Sequence, residues 1–122
     1  MSEGRKPRSH RPDRMADFVR EEVAQFLLNG LKDPRIGFIT VTNVKMTVDL
    51  KTARVYYSVF GSDKEKQETE EALSESLGKI RSHLSKKMHT RFSPRLEFFV
   101  DEGLENSYRV QELLGSINRA ET

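Results

Sequence analysis

Residues 65–91, EKQETEEALSESLGKIRSHLSKKMHTR, constrain the fold more than any other stretch of the chain. Leu73, Leu77, Ile80, Leu84 and Met88 recur at steps of three and four, which places them in one apolar stripe along a helix. Charge changes sign along the same stretch. Glu65, Glu68, Glu70, Glu71 and Glu75 fill its first half, and Lys79, Arg81, Lys86, Lys87 and Arg91 its second. Between the halves stands Ser76-Leu77-Gly78. Glycine inside a helix costs about 1 kcal/mol relative to alanine, and a Gly/Ser pair is one of the recognised causes of a sharp bend. The spacing therefore predicts two helices meeting at a kink made by Ser76, Leu77 and Gly78, with a basic arm leaving it. Acid early and base late also suits the helix macrodipole and adds i,i+4 pairs such as Glu75 with Lys79. The charge switch alone assigns no function.

The rest of the chain supplies what such a helix pair must pack against. Residues 1–12, MSEGRKPRSHRP, have two prolines, five basic or histidine side chains and nothing apolar to bury beyond the first methionine. They read as a disordered tail, and Arg5, Lys6 and Arg8 suit either a phosphate backbone or plain solvent. A first helix is expected from Asp13, as N-cap, to about Asn29-Gly30, with Met15, Phe18, Val19, Val23, Phe26 and Leu27 on one side. Lys32-Asp33-Pro34-Arg35 is then a tight connection, in which Arg35 either pairs with a nearby acid or contacts a ligand. Residues 38–45 and 53–60 are rich in β-branched and aromatic residues and read as a hairpin. After the helix pair, Pro94 precedes a third strand over residues 95–101, and Val110, Leu113, Leu114 and Ile117 suggest a terminal helix. The domain is thus expected over residues 13–119, with 120–122 a frayed end. The order helix-strand-strand-helix-kink-helix-strand predicts an α+β fold: a three-stranded sheet with the helices on one face. Tyr56, Phe60 and Phe99 would then lie on the other face, either as ordinary exposed aromatics or as a partner surface.

Composition closes off several classes of function. At 122 residues the chain suits one domain. It has no cysteine, which removes disulfides, thiol catalysis and cysteine-bound metal and agrees with a reducing, cytoplasmic setting. No apolar run approaches the roughly 20 residues of a membrane span. The net charge is only +2, so a surface for an anionic partner must come from segregated charge. The glycines are scattered, with no phosphate-cradling loop. His83 and His89 are six apart and cannot share a helix face, so no metal pair is expected. Ser82 and His83 are adjacent and cannot face each other, which speaks against a serine–histidine dyad. Neither catalytic residues nor a cofactor or small-molecule substrate are expected.

Four segments carry a family resemblance in their order and spacing. They are Lys32-Asp33-Pro34-Arg35-Ile36-Gly37 leading into Thr40-Val41-Thr42-Asn43-Val44, then Asp49-Leu50-Lys51-Thr52-Ala53-Arg54-Val55-Tyr56, then Gly78-Lys79-Ile80-Arg81, and Pro94-Arg95-Leu96-Glu97-Phe98. Over roughly residues 11–117 the chain resembles the ribosome-binding factor A family of bacterial small-subunit assembly factors. The resemblance implies a K-homology-like fold of the helix-first, type II arrangement. In place of the Gly-x-x-Gly loop with which ordinary K-homology domains clamp nucleic acid, this family has an interhelical kink, usually alanine, any residue, glycine. Ser76, Leu77 and Gly78 stand there, with serine in place of alanine.

The resemblance further implies a monomeric protein that binds free 30S subunits and 16S rRNA. It implies support for late subunit maturation and 16S rRNA processing, above all in the cold, by binding alone. From the residues, Lys79, His83 and Lys86 fall in one line at helical spacing, with Lys87 and Arg91 in a neighbouring row and Arg81 and Arg35 nearby. These seven are the expected RNA contacts, acting on phosphates rather than on sequence. The alternative expectation is a protein-interaction module that docks on a ribosomal protein or another assembly factor.

Overall fold

Helix α1 (Arg11–Gln25) runs into one π-helical turn at Phe26–Gly30, followed by strands β1 (Phe38–Met46) and β2 (Thr52–Phe60), helices α2 (Asp63–Glu75) and α3 (Leu77–Lys87), and strand β3 (Arg95–Val100). This computed structural model describes residues 11–88 and 93–103. Residues 1–10 of the expected tail and the expected terminal helix, and His89 and Arg91 with them, lie outside the described residues.

The helix starts two residues before the expected cap. Arg11 and Pro12 are helical, so Asp13 sits in the first turn as an acid at the positive end of the dipole. Proline is at home there, since the N–H it lacks has no intrahelical partner in the first turn. At the other end the chain does not stop through a left-handed glycine. Gly30 has no positive φ, and the turn closes by a bond from the Leu31 N–H to the Phe26 carbonyl at 2.7 Å. Gly30 is required for another reason: a Cβ there would stand 2.5 Å from Cδ1 of the Phe26 ring.

The sheet order is β1-β2-β3, with β1 and β2 antiparallel and β2 and β3 parallel. A parallel neighbour requires a crossover, and α2 with α3 supplies it. The register puts Ala53, Val55, Tyr57 and Val59 of the central strand on the helix side, where all four are buried. Val19, Val23 and Leu27 of the first helical segment, Leu73, Ile80 and Leu84 of the bent pair, and Leu96 of β3 complete the core. Burying a side chain of this size stabilises by roughly 1.5–3 kcal/mol. Between Val41 and Asn43 the pairing slips by one residue, a β-bulge that leaves Thr42 spare. Its hydroxyl lies 2.7 Å from the Asp101 carboxylate and 3.2 Å from the Tyr56 carbonyl.

The hairpin turn is pinned by Asp49, whose Oδ1 accepts from the Thr47 hydroxyl and the Lys51 N–H. Helix α2 opens with a reciprocal capping box between Ser62 and Glu65. No helix among the described residues is long and apolar enough to cross a membrane.

The bend falls on the first of the three expected residues. Ser76 alone leaves the helix, at φ −98° and ψ 6°, while Leu77 and Gly78 belong to α3. The backbone ladder bridges the bend: the Ser76 N–H donates to the Ala72 carbonyl, and the Ser76 carbonyl accepts from Ile80. Gly78 is exposed, has no positive φ, and offers open space for a side chain. Its freedom is not what turns the chain.

Candidate nucleic-acid interface

A single arginine ties the bend to the turn that precedes the sheet. Pro34 forces that turn, and the Asp33 carboxylate accepts from the Arg35 backbone N–H at 3.0 Å, from its Nε at 3.1 Å and from its Nη2 at 2.8 Å. The same Nη2 reaches the Glu75 carboxylate at 3.0 Å, at the last residue of α2. Hydrogen bonds from the Arg35 guanidinium and then from its backbone hold the Asp33 carboxyl down to about 2, and the charge of Lys79 adds a weaker pull. Arg35 is held still further above its ordinary range, by Asp33 first and Glu75 next. The turn is also fastened from inside. Thr69, fully buried in the acidic helix, donates to the Arg35 carbonyl at 3.2 Å and lies 3.5 Å from the Gly37 N–H.

A second clamp holds the middle of α3. Phe26 is turned beneath Gly30 by the π-helical turn, and the ring of His83 stacks on it with centroids 4.5 Å apart and planes 19° from parallel. The His83 Nε2 lies 3.2 Å from the Glu22 carboxylate of α1. His83 therefore faces α1, and only 25% of its side chain is exposed.

The seven expected contacts thus separate into two groups. Lys79, Arg81, Lys86 and Lys87 are all exposed on α3. Arg35 and His83 are engaged with acids of the same chain, so they fix the pose of α3 rather than extend its face. The helix turns by about 100° per residue, so Lys79 and Lys86 share one flank of the apolar stripe and Arg81 falls on the other. Lys86 and Lys87 also occupy the last turn, where the macrodipole favours cations. The arrangement presents several ammonium groups on a helix held at its middle by His83 and preceded by a bend whose α2 side is tied to Arg35. It can bind a polyanion, and no group of three metal-ligating side chains stands near enough to hold an ion among the described residues.

Three side chains that matter to this geometry are not singled out by the sequence. The Glu75 contact with Arg35 becomes visible only when the fold brings residues 33–35 beside the bend. Glu22 has no signal in the sequence, since its partner His83 lies on a distant helix. Thr69 had a legible signal, since it stands at helical spacing from Ala72, Leu73 and Ser76 on the buried side of an otherwise acidic helix.

Known proteins resemble this chain in sequence and in fold. The sequence model of the family described as "Ribosome-binding factor A" matches residues 11–114. Ribosome-binding factor A of Desulforamulus reducens is 43% identical over 113 residues, 93% of this chain and 94% of the relative. The crystal structure of ribosome-binding factor A from Thermus thermophilus superposes with a TM-score of 0.65 at 25% identity, covering 73% of this chain and 93% of that one. A homology model of the T. thermophilus factor, fitted into the cryo-EM map of a 30S complex, superposes with a TM-score of 0.57 at 26% identity, covering 69% and 88%. With this fold, the bend between α2 and α3 and the extent of these matches, the chain belongs to the ribosome-binding factor A family.

Proposed function

We propose that the chain binds the free 30S ribosomal subunit through 16S rRNA and assists the late maturation of that subunit. In this reading it acts in the cytoplasm, as a monomer, by binding rather than by catalysis. The observation that carries the proposal is the array of exposed cations on the clamped helix α3: Lys79, Arg81, Lys86 and Lys87. Family membership and the relative that is fitted into a 30S map point to the same partner. Arg91 follows them in sequence and is proposed as a further contact. Arg35 and His83 act as its supports.

Cations on a helix neutralise phosphates and release counterions, which gives affinity without reading bases. Structured RNA is recognised by shape, so a rigid array is the useful form of such a surface. Each phosphate contact contributes a fall of roughly 0.7–0.9 log unit in affinity per tenfold rise in salt. Replacing Lys79, Lys86 and Lys87 together by Gln should weaken cosedimentation with free small subunits and flatten the salt slope by roughly two to three units. The variant should stay folded, because all three side chains are exposed. In cells it should accumulate precursor 16S rRNA in the cold. Parent-like subunit binding across the salt series would remove α3 from the mechanism.

A further inference from the structure

On the far side of the sheet, away from the helices, the register lines up a second set of RNA-like features. Asn43, Tyr56 and Phe99 occupy one row across the three strands, and Lys45, Arg54 and Glu97 the next; Arg95 stands beside Thr52 in the row after that. The Tyr56 and Phe99 rings stack with centroids 5.6 Å apart and planes 30° from parallel. Phe99 is 43% exposed although it is a large apolar residue. The Lys45 ammonium stands over the Tyr56 ring, 5.7 Å from its centroid, so a cation on a long exposed stem already occupies one face of the aromatic pair. Arg54 is half exposed, and its approach to Glu97 is a loose 3.9 Å.

We infer that this end of the outer sheet face is a platform for unpaired RNA bases, with Tyr56 and Phe99 as the stacking pair and Lys45, Arg54 and Arg95 as the groups that meet the flanking phosphates. The inference rests on the reading of the chain as an RNA-binding factor and assigns it a second, separate surface. Charge complementarity decides the occupant. Three cations stand on this face against two acids, Glu97 and Asp101, and Asp101 is engaged with the Thr42 hydroxyl at 2.7 Å, so positive charge prevails beside the rings. Sheet faces of this composition hold single strands because every base has a π-face, while an adjacent basic row tracks the backbone. A duplex keeps its bases stacked inside and has nothing to offer the rings. The two surfaces lie on opposite sides of the domain, so one molecule can hold a folded rRNA element against α3 and an unpaired strand against the sheet.

The test uses the full chain, a single-stranded oligouridylate and an RNA duplex of the same length. Replacing both rings by Leu keeps apolar volume on the sheet and removes stacking. Tyr56→Leu with Phe99→Leu should weaken oligouridylate binding by roughly five-fold or more, given the usual worth of a base–aromatic stack, and leave duplex binding unchanged. Tyr56→Phe should keep the affinity and lose most of the tyrosine-fluorescence quenching that the single strand produces in the parent. That measurement needs no destabilising change. Parent-like single-strand affinity in the double Leu variant would overturn the proposal, as would undiminished quenching in Tyr56→Phe or failure of the parent to bind the single strand. Loss of subunit binding in the Leu variant with unchanged single-strand affinity would make the face a protein contact instead. The Lys79, Lys86 and Lys87 variant separates the two readings. Its retention of subunit binding would remove α3 and leave the platform standing.

Discussion

Replacing Gly78 by Ala should stabilise this protein. Gly78 is the second residue of α3, is exposed, and has no positive φ. A Cβ built there meets no heavy atom within 4 Å. The substitution therefore adds no clash and no strain, and it removes freedom from the unfolded chain. In a helix interior the gain is about 1 kcal/mol, and at compatible sites in general about 0.4–1 kcal/mol. A first-turn position belongs at the lower part of that range. For a domain of this size 1 kcal/mol moves the melting temperature by about 4 °C, so a rise of about 2–3 °C is expected. Thermal denaturation followed by far-UV circular dichroism measures it, with cosedimentation on free small subunits beside it. A lower melting temperature would refute the assignment of the bend to Ser76 and of Gly78 to plain helix. A stabilised variant that no longer binds would place the RNA backbone directly against the Gly78 Cα.

Gly30→Ala should have the opposite sign, because its Cβ would meet the Phe26 ring at 2.5 Å. Over-packing of this kind costs about 1–3 kcal/mol, read as a lower melting temperature. Asp33→Asn should flatten the acid limb of the stability curve. The folded pKa of about 2 lies below the ordinary 3.8, so the ionised carboxylate contributes stability above about pH 4 and loses it as pH falls from there towards 2. Melts across that window should show the parent losing ground to the variant, and unchanged parallel curves would refute the Arg35 clamp.

Periodicity was enough for most of the architecture. The stripe through Leu73, Ile80 and Leu84, the alternation in residues 53–59 and the order of elements all follow from local pattern, and the core uses those residues. The bend was legible as a region of three residues, though not which of them makes it. Glycine propensity points to Gly78, but the helix leaves its path where the buried Ser76 takes a non-helical backbone, and propensity is blind to that tertiary choice. The candidate site was legible where it is a matter of charge on one helix: Lys79, Arg81, Lys86 and Lys87 are exposed as their spacing suggests. His83 was not, because its neighbour on α1 is 61 residues away in sequence. Arg35 kept both of its alternatives open in the sequence. The acid beside it in the turn was visible, whereas Glu75, forty residues on, was not.

Those two clamps also decide how the charge on α3 is distributed for a ligand. Asp33 and Glu75 are two carboxylates close to the start of the basic helix, where they would repel a phosphate. Arg35 bonds both, and Lys79 also attracts Asp33, so the four groups together carry no net charge. An approaching backbone therefore meets a near-neutral bend and then Lys86 and Lys87 at the far end of the same helix. Coulomb attraction at exposed sites is screened within about 10 Å in ordinary salt, so the uncompensated end attracts first and Lys79 engages only at contact. On the proposed RNA-binding reading, the clamp makes the bend a place that RNA can approach closely, while the attraction comes from the last turn.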